Sequence, residues 1–104
     1  MEASTVFNAA KSVEYAIGSV VSKTIIKKTT GTITLFAFDK GEGLSEHTAP
    51  FEAMIQVLDG QAEVTIGGNP YMVTSGNSII LPAGIPHSIK AFERFKMMLT
   101  MIKS

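Results

Sequence analysis

Apolar positions along the chain come in short bursts rather than in long helical stripes. Segments rich in Val, Ile, Thr and Phe run over Val20–Ile26, Thr32–Phe38, Ala53–Leu58, Ala62–Ile66 and Ser78–Leu81. Each has the length of a strand and none sustains a 3.6-residue period, so they predict β-strands. The breaks between them are turn chemistry: Thr30-Gly31, Lys40-Gly41-Glu42-Gly43, Asp59-Gly60, Gly67-Gly68-Asn69-Pro70, Ser75-Gly76-Asn77 and Pro82-Ala83-Gly84. These residues accept positive φ or preset it at about −65°. Short strands at regular spacing with glycine-rich turns predict an all-β sandwich or closed barrel. One helical turn is expected before Val13. No linker, charge block or low-complexity segment marks a boundary, so residues 1–104 are expected to form a single domain.

Two segments share a layout in which a glycine turn leads into a histidine-bearing stretch and then strand formers. They are Gly41–Gly60 and Gly76–Ala91, and the residues between Gln61 and Ser75 suffice for one hairpin. The second, GNSIILPAGIPHSIKA, resembles the second cupin motif, with Gly76, Pro82, Gly84 and His87 in register. Ala91 stands where that motif closes on Asn. The first, GEGLSEHTAPFEAMIQVLDG, resembles the first cupin motif through Gly41, His47 and Gly60. Ala49 takes the place of its second histidine and Ala53 that of its glutamate. The chain thus resembles a small single-domain RmlC-like cupin of the cupin 2 type, with a degenerate first motif at about 41–60 and a second at about 76–91. The resemblance implies a jelly-roll barrel, or double-stranded β-helix, that holds its ligand inside.

Residue physics agrees. Pro82 can edge a strand but cannot donate to a central ladder, and Gly84 and Pro86 set a tight, stiff approach to His87. Period-two alternation puts His47 and Ala49 on one face and Ala53, Ile55 and Val57 on another inward run, with Gln56 turned away. In metal cupins the resemblance implies a site made of two histidines, a glutamate and the later histidine, suited to Fe, Mn, Ni, Zn or Cu. Here only His47 and His87 remain, an incomplete set, because tight sites normally use three or more protein ligands. Glu46 is expected to point away, whereas Glu52, in the loop-like Ala-Pro-Phe-Glu stretch, is close enough to swing in. A histidine inside a small barrel is often only a hydrogen-bonded core residue, but the pair stands at two cupin ligand places and is expected to line a cavity.

Composition narrows the partners. Nine basic residues balance nine acidic ones, which leaves no field for nucleic acid or an anionic membrane. Lys23, Lys27 and Lys28 read as the solvated face of a strand. Without cysteine there is no disulfide, thiolate nucleophile or thiolate-bound metal. The opening MEASTVFNAAK lacks the pattern of a signal peptide and no apolar run is long enough to span a bilayer, so a cytoplasmic protein is expected. The hydrophobic fraction is 45%, only 17% of residues are charged, and area scaling allows a folded surface of roughly 5,600 Å². So apolar a chain on so small a body is expected to pair as a homodimer. Met97, Met98 and Met101 fall on both faces of a strand and read as core and dimer packing, as Phe36 and Phe38 read as core.

Two functions from different classes follow. One is a small-molecule-binding cupin with a two-histidine cavity, His47 and His87, and a weak or absent metal site. The alanines leave that cavity apolar, suited to a small organic ligand with a carboxylate or hydroxyl. The other, by resemblance, is a metal-dependent dioxygenase, isomerase or decarboxylase acting on a small organic acid, phenol or sugar, with a divalent transition metal held by His47, His87 and waters or Glu52.

Overall fold

The computed structural model describes all of residues 1–104. A single 3₁₀ turn, Ala9–Lys11, precedes nine strands: β1 Val20–Lys28, β2 Gly31–Phe38, β3 Gly43–His47, β4 Ala53–Asp59, β5 Gln61–Ile66, β6 Asn69–Thr74, β7 Ser78–Leu81, β8 His87–Lys90 and β9 Phe95–Ile102. They form two antiparallel sheets, a five-stranded one in the order β1-β2-β9-β4-β7 and a four-stranded one in the order β3-β8-β5-β6. Neighbours in each sheet are mostly distant in sequence, as in the jelly-roll barrel that the cupin resemblance implies. No helix is long and apolar enough to cross a membrane.

Alternation within the strands builds the core. Ala53, Ile55 and Val57 on β4 are buried while Met54 faces out, and β9 buries Phe95 and Met97 in the same way. Phe38 and Phe95 are cross-strand partners with rings 4.5 Å apart and almost parallel. Such a stack contributes about 0.5–1.5 kcal/mol beyond area burial. Phe36 packs against this cluster from the side, and Met97 and Met101 point inward while Met98 points outward. The residues between Gln61 and Ser75 form the β5–β6 hairpin, turned by Gly67 and Gly68, both at positive φ. Pro70 lies on β6 at the sheet edge, where its missing N–H costs no ladder bond. Lys23, Lys27 and Lys28 are exposed on β1, the opposite kind of edge, and charge there discourages strand addition.

One layer had no sequence counterpart. Residues 9–15 lie as a strap across the outer face of the five-stranded sheet, where Val13 is buried against Leu35 and Ala37. The Tyr15 hydroxyl donates to Asp59 Oδ2 at 2.5 Å, and the buried Lys96 donates from Nζ to the Ala10 carbonyl at 2.6 Å. Lys96 and Arg94 also lie over the Tyr15 ring, at 4.9 and 5.1 Å from its centroid. Burial, with Asp59 adding to it, raises the pKa of the Tyr15 hydroxyl above the usual phenol value, so it stays a donor. Further along, Asp39 accepts from the Gly18 N–H at 2.7 Å and from Arg94 Nε at 2.8 Å.

Candidate functional site at the barrel mouth

His47 reaches the site through an irregularity. Leu44 pairs with Ile89 and His47 with His87, so three steps along β3 match two along β8. This β-bulge re-aims the chain and lets both Leu44 and His47 face the barrel interior, which strict alternation forbids. Gly43 makes the approach possible, because a Cβ there would overlap the Ile89 carbonyl oxygen. At the far end of β8, the Ala91 N–H donates to the Glu42 carbonyl at 2.9 Å and the Ala91 carbonyl accepts from Gly41 at 2.7 Å. Ala91 is fully buried, so the position that closes the second motif locks the start of β3 in place.

His87 opens β8 directly after the Pro82-Ala83-Gly84 turn. Gly84 sits at φ +74°, and its N–H donates to the Ala49 carbonyl at 2.8 Å, which ties the two motif loops together. The four positions that the cupin resemblance marks, 47, 49, 53 and 87, line one cavity of about 40 Å³. Two are imidazoles and two are alanines. The rest of the wall is apolar: Leu44, Leu81 and Ile89, with Leu99 and Met101 from β9. From the sequence Met101 reads as core and dimer packing, and no motif there marks Leu44 or Leu99. Alternation along β9 carried the signal for Leu99 and Met101, whereas the bulge hid Leu44. A water needs about 10–15 Å³ of such space, so the interior admits an ion or a few waters, not a ring system.

The two rings meet edge to face, with centroids 4.4 Å apart and Nε2 atoms 3.1 Å apart. His87 is buried, whereas His47 is exposed at the mouth. Each Nδ1 contacts a backbone carbonyl two residues upstream, His47 that of Ser45 at 2.8 Å and His87 that of Ile85 at 3.3 Å. A carbonyl only accepts, so each Nδ1 is placed to donate and each ring turns its Nε2 to the same point, where the 3.1 Å contact is of hydrogen-bond length and its direction is set by the tautomers. Burial holds the His87 pKa below the ordinary imidazole value, and the neighbouring His47 lowers it further against the opposing pull of the Ile85 carbonyl. The two rings therefore meet each other across the cavity, and a polar group that enters between them takes the place of their mutual contact.

The fit to a metal is partial. A separation of 3.1 Å is one that two nitrogens can have when each lies about 2.0–2.1 Å from a common ion. The carbonyl contacts at Nδ1 are the kind that orient metal-bound imidazoles. Yet Ala49 and Ala53 contribute no donor, and nowhere do three His, Asp or Glu side chains converge. Glu52 does not complete the set. Ala53 faces inward, so Glu52 beside it faces outward, and its carbonyl already accepts from Ile102 in the five-stranded sheet. Its side chain lines an outer groove with Met54 and Ile80. Glu46 is exposed and outside the cavity, as alternation predicts. Larger grooves exist elsewhere on the surface, and none of them holds a histidine.

Comparison with known proteins agrees with this geometry. The Cupin domain family profile matches residues 34–102. A conserved protein of unknown function from Streptococcus pyogenes superposes with a TM-score of 0.95 at 36% identity, over 100% of this chain and 91% of its own. A cupin 2 conserved barrel domain protein from Leptotrichia buccalis gives a TM-score of 0.90 at 43% identity, over 93% of this chain and 47% of its own. Quercetin 2,3-dioxygenase of Bacillus subtilis (strain 168) is 38% identical over 60 residues, 56% of this chain. The match spans only 18% of that enzyme's length. With the family profile covering most of the barrel and both motif segments lining one cavity, the chain belongs to the cupin family.

Proposed function

We propose that the protein is a small-molecule-binding cupin in which His47 and His87 anchor the polar head of a partly apolar organic ligand. The observation that carries this reading is the pair of Nε2 atoms 3.1 Å apart above an apolar floor, with both Nδ1 atoms in contact with backbone carbonyls. An O–H or N–H donor meets them well, as does an acidic proton handed to one of the rings. The head group alone fits the interior of about 40 Å³. The remainder of the ligand lies outside it, on the side where His47 is exposed. A phenol or a small carboxylic acid has this shape and chemistry.

A metal-dependent enzyme is the second reading, favoured by the nitrogen spacing and by the likeness to quercetin 2,3-dioxygenase. In that reading His47 and His87 hold a divalent transition metal, which supplies Lewis-acid or oxygen-activating chemistry when bound. The two alanines count against it.

One experiment separates the readings: elemental mass spectrometry on untagged protein and on a His47→Ala/His87→Ala variant, together with thermal shift against a panel of phenols and carboxylic acids. A ligand at ten times its Kd adds about 1.4 kcal/mol, several degrees in Tm for a domain of this size. Stabilisation of the wild type that the double variant loses, with substoichiometric metal, is the expected result. Near-stoichiometric metal lost in the variant hands the site to the second reading. A flat panel without metal removes both.

A further inference from the structure

We propose that the cavity between the two histidines binds a soft monovalent metal ion, Cu(I), held by His47 Nε2, His87 Nε2 and the thioether sulfur of Met101. The strand register sets Met101 of β9 directly beside Ala53 of β4, and both line the cavity that the histidines share. Ala53 stands at the place of the motif's glutamate, and its methyl leaves that place open. Beside it, the long unbranched side chain of Met101 carries the one donor atom that the wall offers apart from the two imidazoles. The side chains of Leu44, Leu81, Ile89 and Leu99 have none. A hard anionic donor is thus exchanged for a soft neutral one.

That donor set chooses the ion. Thioether sulfur and imidazole together suit Cu(I), whereas carboxylates suit harder divalent ions. Cu(I) has a filled d shell and is content with few ligands, while a divalent ion asks for a fuller set than this cavity holds. Charge acts in the same direction. Two imidazoles and a thioether bring no negative charge, and Glu46 and Glu52 both lie outside the cavity. The cost of burying an ion rises with the square of its charge, so a divalent ion among neutral ligands costs about four times what a monovalent one does. A cavity of about 40 Å³ admits a single ion of this kind, and His47, exposed at the mouth, gives it a way in. The copper site rests on the proposed function in one respect, that both Nε2 atoms face one cavity, where the ion and an organic head group exclude each other.

The test is an anaerobic titration in which the untagged protein competes for Cu(I) with bicinchoninate, a chromophoric chelator. The wild type should withdraw a single Cu(I) per chain. Met101→Leu, which keeps volume and apolar character but loses the sulfur, should bind it about tenfold to a hundredfold more weakly, as loss of even an outer partner does at metal sites. Met97→Leu, at an inward methionine outside the cavity, should bind it as the wild type does. Copper-edge X-ray absorption of the loaded wild type needs no variant and should show a sulfur neighbour beside the nitrogens. No withdrawal of Cu(I), equal affinity in Met101→Leu, or a copper spectrum with nitrogen alone overturns the inference. A protein that refuses Cu(I) yet is stabilised by phenols or carboxylic acids loses the copper site and keeps the proposed function. One that takes Cu(I) and ignores that panel does the reverse.

Discussion

His47 and His87 differ in their solvent exposure, yet the same device sets both: a backbone carbonyl two residues upstream takes the Nδ1 proton and leaves Nε2 to the cavity. What the site lacks is equally local, since Ala49 and Ala53 stand at the remaining ligand places with their side chains on the same cavity. Restoring the donors should therefore restore a metal centre. Ala49→His with Ala53→Glu is expected to raise metal occupancy from substoichiometric to near one ion per chain by elemental analysis. Either substitution alone should do less, because it supplies one donor fewer to the ion. Ala53 is buried, so Glu there without metal leaves an unpaired carboxylate and should lower Tm, a loss that added Zn²⁺ or Mn²⁺ reverses. The positions of this site were readable from motif spacing alone. The ring orientations were not, because they depend on which carbonyls the fold brings within reach of each ring.

At the level of elements, alternation predicted which residues of β4 and β9 enter the core, since both strands pair on each side without interruption along most of their length. It fails on β3, where Leu44 and His47 share a face that period two assigns to opposite ones. No residue type between them announces a bulge. The nearest sequence signal is Gly43, whose missing side chain lets β3 lie against β8. Glu52 misled for a related reason. The Ala-Pro-Phe stretch before it reads as free loop, but the Glu52 carbonyl accepts from Ile102 at the end of β9, which ties it beside the five-stranded sheet. These contacts make Gly43 a positioning residue for the histidine pair. In Gly43→Ala the new methyl must push β3 away from β8, so ligand or metal affinity at His47 and His87 should fall at least tenfold. Overpacking of this kind typically costs about 1–3 kcal/mol of stability. Gly41→Ala meets nothing in space, though its positive φ adds strain, so comparable destabilisation with affinity retained separates the site effect from a general loss of stability. Equal loss of affinity in both variants would refute the positioning role.

Across the whole molecule, the barrel was legible because its strands and turns are local signals, whereas the strap was not. Val13, Tyr15 and Lys96 gain their meaning only when distant segments meet: a buried lysine on an apolar strand looks anomalous until the Ala10 carbonyl and the Tyr15 ring are found beside it. Asp39 fastens the other end of this layer, joining Gly18 at the strap's exit to Arg94 just before β9. The Gly18 N–H is the largest cause, followed by Arg94 and the Lys40 N–H, and together they hold the Asp39 pKa down to about 2 from its ordinary 3.8. A carboxylate whose pKa is depressed by folding releases its proton more readily in the folded state. Between about pH 4 and 2 the unfolded chain then binds more protons than the folded one, so stability falls as pH drops through that window. The contribution is complete above the unfolded value and gone below the folded one. In Asp39→Asn the amide keeps the size but not the charge. The variant should be less stable at neutral pH, and its unfolding free energy in urea should show a shallower pH slope from 4 to 2, by as much as one proton. Parallel slopes in the two proteins would mean that the strap is held by Val13 and Tyr15 alone, with Asp39 a bystander.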